Sequence, residues 1–276
     1  LGHRCASLVL CLAAAGLLGA AALNLARGLA ETPSGEVVLA GYSTCLQGRT
    51  AGQRHNVRLA AAALNGARVA PGGTFSFNKV VQSWSMDRGY VKAPVSYSGE
   101  LLPAFGGGVC QVSTTLYNAA LLAGLQVLER HPHAIAPRYA PPGLDAAVAQ
   151  VTIDLRLRNP YAFPVRVVAR AHSERLEVRI LGAQLPRLSA HVEPQIVSRT
   201  EPERLLRLAR SGRFMGQRAY VRSPGAEGFR VVVHRVWMDG SREVKRERLS
   251  DDTYPALDRV IAVPPNETTA GHRGGT

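Results

Sequence analysis

Gly106-Gly107-Gly108-Val109-Cys110-Gln111-Val112-Ser113-Thr114-Thr115-Leu116-Tyr117-Asn118-Ala119-Ala120 is the stretch that decides how the chain folds. Three glycines make a turn that can adopt φ > 0 and let another group approach the backbone closely. The uncharged run that follows continues to Leu128 and predicts a helix from Cys110 to Leu128. Ala and Leu dominate it, no proline interrupts it, and Val112, Leu116, Ala119 and Ala123 share one face. The other face carries Leu121, Leu122, Leu125 and Leu128, so the helix is apolar nearly all round. Such a helix, ~28 Å long at 1.5 Å per residue, is a membrane span or the centre of a core. Gln111, Ser113, Thr114, Thr115 and Asn118 argue for the core.

Cys110 then stands in the first helical turn. Unpaired N–H groups and the positive end of the helix dipole favour a thiolate there. The glycine turn beside it offers backbone donors to a developing oxyanion, with Gly106, Gly107, Gly108 and Ser113 as candidate ligand contacts. A small buried hydrophobe is the competing reading of the same cysteine.

The 276 residues hold one good-sized core or two small ones, and 46% hydrophobic with 19% charged residues excludes a disordered chain. The formal net charge of +13, supplied almost wholly by arginine, suits an anionic partner: nucleic acid, anionic lipid or an acidic cell-wall polymer. The arginines are dispersed and no nucleic-acid motif accompanies them, so no nucleic acid is expected. Arg4 and Arg27 bracket an uncharged, Ala- and Leu-rich segment from Cys5 to Ala26. Its length fits a secretory signal or a membrane anchor over residues 1–30. The rest is therefore expected outside the cytoplasm, in the cell envelope, secreted or held at the membrane by residues 5–26.

Residues 36–181 read as one α+β domain: a central buried helix with a cysteine at its N-terminus, packed on a mostly antiparallel sheet. Val37 to Tyr42 predicts a strand, Arg54 to Leu64 a helix stopped by Gly66, and Thr74 to Asn78 a half-buried strand. Gly89 to Tyr97 is extended and Gly99 to Gly108 a loop. Val151, Ile153, Leu155 and Leu157 alternate with polar residues as in a strand with one wet face, and strands follow at Val165–Ala169 and Leu176–Leu181. Residues 182–203 read as a Pro/Arg-rich extended linker. A β-rich region occupies 204–263, where Asp239-Gly240 between Arg230–Trp237 and Glu243–Leu249 is a strong hairpin signal. The tail 264–276 reads as disordered.

Arg54 with Asn56, Pro71-Gly72-Gly73-Thr74-Phe75-Ser76-Phe77-Asn78, Gly89-Tyr90, Ala93, the 106–119 stretch, Glu129-Arg130 with His133, and Gly143-Leu144-Asp145-Ala146-Ala147-Val148 form an ordered series. This series resembles the VanW family, over about Tyr42 to Asp154. The C-terminal hairpin region is similar to the small β modules, some of G5 type, that follow such domains. Ala134 after His133 departs from the family's usual Ser, Gly73 stands where an acidic residue is frequent, and Cys45 is an addition. The family's association with vancomycin-resistance gene clusters and bacterial envelopes implies a peptidoglycan-related role.

The residues themselves supply a mechanism. Cys110 is the candidate nucleophile, His133 or His131 the general base, and Asp145 the group that fixes the imidazole, with Gln111 aiding the oxyanion. The corresponding reaction is acyl transfer or amide hydrolysis on a stem peptide. The alternative is a non-catalytic wall-binding module, its groove lined by Phe75, Phe77, Trp84, Tyr90 and Tyr97. A Cys45–Cys110 disulfide would silence the nucleophile. Zinc on Cys45, Cys110, His131 and His133 has suitable ligand types but no standard spacing. No metal and no cofactor is expected.

Overall fold

A computed structural model describes residues 35–97, 100–208, 220–223 and 225–263. The expected signal or anchor at 5–26 and the tail from 264 lie outside the described residues. Strands predominate, mostly in antiparallel sheets, with few helices: a sheet-rich α+β chain. It divides into two compact units. The described residues up to Gln195 together with Val232–Asp251 form the first, and Ile196–Val231 with the described residues from Asp252 form the second.

The first unit opens with β1 (Val37–Cys45) and α1 (Ala51–Leu64). Thr50 caps α1: its Oγ1 accepts from Gln53 N at 3.2 Å, and Gln53 Oε1 accepts from Thr50 N at 3.1 Å, a reciprocal capping box. After β2 (Arg68–Val69) comes β3 (Thr74–Ser76), which is shorter than the alternation predicts. Ser76 Oγ accepts from Lys79 N at 3.1 Å and turns the chain into the short α2 (Phe77–Val81). A single 3₁₀ turn spans Met86–Arg88. The expected loop at 99–108 instead contains β5 (Glu100–Phe105), which pairs antiparallel with β4 (Lys92–Tyr97), Pro94 facing Pro103. Two prolines and two short apolar runs hid that hairpin.

The helix of the opening stretch, α3, runs Val109–Leu122, six residues short of the predicted end. Gly124 adopts φ 76°; its N–H donates to Leu121 O at 3.1 Å, and Leu125 N–H donates to Ala120 O at 2.9 Å. That pair of bonds is a Schellman stop, which the apolar composition concealed. The remaining residues enter β6 (Gln126–Glu129).

The predicted strand over 151–158 shrinks to β7 (Arg156–Arg158). Val151 is 98% exposed at φ 72°, and the Asp154 carboxylate turns the chain by accepting from Ser76 Oγ (2.5 Å), Asn78 N (2.9 Å) and Leu155 N (2.8 Å). β8 (Val165–Ala171) and β9 (Arg175–Gly182) extend both predicted strands.

Beyond them lie β10 (Ser189–Thr200), where an extended linker was expected, β11 (Arg204–Leu208) and β12 (Tyr220–Ser223). β13 (Gly228–Asp239) and β14 (Arg242–Tyr254) follow, joined at Gly240 with φ 61° as the Asp-Gly signal predicts, and then β15 (Arg259–Val263). The described strands order as β1-β9-β8-β2, β3-β7-β6, β4-β5, β10-β13-β14 and β11-β15-β12.

The core of the first unit sits between β1-β9-β8-β2 and helices α1 and α3. Val57, Ala60, Ala61 and Leu64 of α1 join Val112, Leu116, Ala119 and Ala120 of α3 and Val167, Ala169, Leu176, Val178 and Ile180 of the sheet in one buried cluster. Each fully buried Leu, Ile or Val contributes about 1.5–3 kcal/mol relative to exposure. Arg235, on the β13 segment belonging to this unit, finishes the far end of α3. Its Nη1 donates to Leu125 O at 2.6 Å and reaches Leu121 O at 3.5 Å, while Nε donates to Glu247 at 2.7 Å. A cation at a helix C-terminus satisfies both the orphan carbonyls and the dipole.

Candidate active site around Cys110

Twelve of the fourteen α3 residues are buried, and the two that reach solvent are Leu122 and Cys110. The polar side chains of the helix are spent on holding its surroundings. Gln111 Nε2 donates to Thr44 Oγ1 (3.0 Å) and Cys45 O (2.8 Å), and Thr115 Oγ1 meets Thr44 Oγ1 at 2.9 Å, so positions 111 and 115 grip β1. Positions 113, 114 and 118 grip the segment 144–146. Ser113 Oγ donates to Ala146 O (2.6 Å), Ala146 N donates to Thr114 Oγ1 (3.0 Å), and Asn118 Nδ2 donates to Leu144 O (2.7 Å). This second set fixes the backbone on either side of Asp145 against the helix that carries Cys110.

An isolated antiparallel bridge, His131 opposite Ala147 with Ala147 N donating to His131 O at 2.8 Å, brings the segments carrying His133 and Asp145 side by side. His133 Nδ1 lies 2.6 Å from Asp145 Oδ2, and the His133 backbone N–H donates to the same oxygen at 2.7 Å. Arg130 holds the other side: Nη2 is 3.2 Å from Asp145 Oδ1, and Nε donates to Asp145 O at 2.6 Å. Asp145 is fully buried, whereas the His133 side chain is 21% exposed.

With Nδ1 taken, Nε2 is the ring nitrogen left for the neighbouring Cys110 and for the Tyr139 hydroxyl at 3.4 Å. Burial pushes the His133 pKa down, but hydrogen bonds to Asp145 and Cys110 and their charges outweigh it and raise it to about 9. The ring is therefore an imidazolium at neutral pH. Cys110 Sγ also contacts Val148 O at 3.4 Å. Burial and the neighbouring Cys110 push the Tyr139 hydroxyl well above its ordinary pKa, so it stays a neutral donor.

Cys110, His133 and Asp145 thus converge, and several other candidates do not join them. His131 is exposed and pairs with Glu129 Oε1 at 3.2 Å, so His133 alone occupies the base position. Gln111 is buried with both amide hydrogens on β1, which leaves it no donor for an oxyanion. Ser113 is fully buried under Ala146 and cannot touch a ligand.

The glycines are shaped by the protein itself rather than by a ligand. A Cβ at Gly106 would meet the Trp84 ring at 2.1 Å, one at Gly107 the Ala93 carbonyl oxygen at 2.7 Å, and one at Gly108 the Gln53 carbonyl oxygen at 2.8 Å. Cys45 and Cys110 are both free, with no disulfide between them. Among the described residues no three His, Cys, Asp or Glu side chains group as a metal site, which removes the zinc arrangement. Phe75, Phe77 and Tyr90 are core residues, not a groove lining.

A cavity of about 380 Å³ does exist in this unit, along β1 between Tyr42, Tyr161, Leu185 and Trp237, but Cys110, His133 and Asp145 do not line it. Burial pushes the Tyr42 hydroxyl up to about 12 there.

Two parts of the site receive no role from the sequence. Arg130 stands in the ordered series beside His133, but its place as half of a buried ion pair, 5% exposed against a fully buried Asp145, emerges only in three dimensions. Tyr139 lies in a proline-rich loop, with Arg49 stacked on its ring at 4.7 Å.

The site is thus a buried helix that opens on a solvent-reaching cysteine, with histidine and aspartate delivered from a pinned loop. Residues 52–181 match the family described as VanW like protein. The chain is 35% identical over 162 residues to the uncharacterized protein YoaR of Bacillus subtilis (strain 168), covering 59% of this chain and 54% of that one. It is 35% identical over 109 residues to the vancomycin B-type resistance protein VanW of Enterococcus faecalis (strain ATCC 700802 / V583), covering 38% and 40%. The chain thus spans about half the length of the curated relatives it matches. Among solved structures, HP0197-G5 matches 28% of this chain and 99% of its own at 13% identity and TM-score 0.17. The G5 domain of an IgA1 protease matches 29% and 93% at 15% identity and TM-score 0.20. At those scores the likeness carries no argument.

Proposed function

We propose that the VanW-like domain is a cysteine acyl-transferase or amide hydrolase acting on peptides of the bacterial cell wall. The carrying observation is the convergence of Cys110, His133 and Asp145, with Cys110 and His133 reachable from solvent and Asp145 buried against Arg130. Asp145 fixes the His133 ring with Nε2 toward sulfur, and the imidazolium so held stabilises a Cys110 thiolate as its ion-pair partner.

The thiolate attacks the carbonyl carbon of an amide, and the Cys110 N–H, which makes no backbone hydrogen bond among those of the described residues, supports the oxyanion. The C–N bond breaks as His133 Nε2–H protonates the leaving amine, leaving a thioester on Cys110. Water or a second amine, deprotonated by the now neutral His133, attacks the thioester and releases the acid or the new amide. The resistance role in the printed name of the enterococcal relative supports a wall-peptide substrate. The net charge of +13 supports contact with an anionic wall polymer. An exported location, set by residues 5–26, belongs to the same proposal.

The test is incubation of the chain with synthetic stem peptides and mass spectrometry of the quenched protein. A thioester adduct on the peptide containing Cys110, absent from Cys110→Ala, is the expected result. Wall-peptide binding without any adduct or product overturns the enzyme reading and leaves a binding module.

A further inference from the structure

Arg49 ends the turn after β1. Its backbone N–H donates to Leu46 O at 3.2 Å across Gly48 (φ 75°), and the next residue, Thr50, is locked in the capping box of α1. A side chain that starts from so fixed a backbone presents its guanidinium in a defined place. The guanidinium is half-buried and lies over Tyr139, Cζ 4.7 Å from the ring centroid. Tyr139 meets His133 edge-on, centroids 6.3 Å apart, with its hydroxyl 3.4 Å from Nε2. Arg49 therefore stands one aromatic ring away from the reacting pair.

Arg49 is also without a counter-ion. Among the described residues, no carboxylate lies within ion-pair distance of it; the groups that act on it are Tyr139 and Cys45. Arg130, the other arginine at the site, is committed to Asp145 and to the Gly143 carbonyl. Burial of an unpaired guanidinium is unfavourable, and it becomes favourable when an anion arrives. Stacking occupies one face of the fork and leaves its edge, whose paired N–H donors match a carboxylate bidentately.

We propose that Arg49 is a specificity-determining residue that binds a free carboxylate of the peptide substrate, close along the peptide to the amide attacked by Cys110. The assignment rests on the acyl-transfer reading of the site. It selects among amides: a stem peptide with a free carboxyl group at its end is taken, and the same peptide with that group amidated or extended is disfavoured. Tyr139 serves as a positioning residue, holding Arg49 on one side and His133 on the other.

The test uses two synthetic stem pentapeptides identical except for a terminal carboxylate or carboxamide. Each is titrated calorimetrically into the full chain carrying Cys110→Ala, which binds without turnover. The carboxylate peptide is expected to bind at least tenfold more tightly. Adding Arg49→Met removes that preference and leaves the affinity for the carboxamide unchanged, and Arg49→Lys keeps part of it. Thermal unfolding of each variant verifies that the turn has folded. Equal binding of the two peptides, an Arg49→Met loss common to both, or binding of neither overturns the assignment. The adduct on Cys110 decides the parent reading separately: a chain acylated equally by both peptides keeps its nucleophile and loses the role given to Arg49.

Discussion

His133 Nδ1 and Asp145 Oδ2 are 2.6 Å apart, and the backbone N–H of the same histidine donates to the same oxygen. One carboxylate oxygen thus fixes both the ring and the backbone that carries it, while Arg130 takes the other oxygen from inside. This arrangement holds a histidine in one orientation beside a cysteine, and most of what can be tested follows from it.

Removing the carboxylate takes the ion-pair partner Asp145 away from the buried Arg130. Asp145→Ala is expected to cost about 3–5 kcal/mol of stability, as for other buried pairs broken on one side. Urea unfolding measures it, and a loss within about 0.5 kcal/mol contradicts the buried pair.

The pH dependence of stability carries the mark of His133. Its pKa is about 9 folded against 6.5 ordinarily, so the folded state binds the proton more tightly. The stabilisation is complete below pH 6.5 and is lost as pH rises toward and through 9, about 3 kcal/mol at most. Unfolding free energies at pH 6 and pH 9.5 give the difference. His133→Gln should flatten it, and Cys110→Ala should reduce it, because part of the shift comes from Cys110.

Gly107→Ala separates a packed glycine turn from a ligand cradle. The new Cβ would lie 2.7–2.8 Å from the Ala93 and Pro94 backbone, with Gly107 O held by Asn56 Nδ2 at 3.0 Å. A loss of about 2–4 kcal/mol is expected. Normal thermal stability with lost ligand binding contradicts the packing account.

Arg235→Ala exposes the far end of α3. The Leu121 carbonyl in the last turn and the Leu125 carbonyl just beyond the helix lose their donor and Glu247 its main partner, so a loss of about 2–3 kcal/mol is expected in urea unfolding. The chemistry at Cys110, at the other end of the helix, should keep its pH profile.

What the sequence made legible was whatever depended on local pattern. The Asp239-Gly240 hairpin, the capped helix before Leu64 and the paired strands Val165–Ala171 and Arg175–Gly182 follow from turn chemistry and alternation. His133 and Asp145 were nameable as partners of Cys110 because their chemistry is specific. The misreadings have a common cause in tertiary bonds. Leu125 and Leu128 look helical until Gly124 closes a Schellman turn, and Val151 alternates like a strand residue while Asp154 bends the chain. Gln111 and Ser113 sit close to Cys110 in sequence, yet their side chains point to β1 and Ala146. Arg49 and Tyr139 meet Cys110 and His133 only in three dimensions.

The central claim, a cysteine activated by an oriented histidine, is tested most directly by iodoacetamide labelling of folded protein across pH 5–9, with Cys110 and Cys45 resolved by mass spectrometry. The account predicts that Cys110 labels readily at pH 6, that His133→Gln abolishes this low-pH labelling, and that Cys45 is unaffected by the substitution. Labelling of Cys110 that appears only with unfolding, or a profile unchanged in His133→Gln, would contradict it.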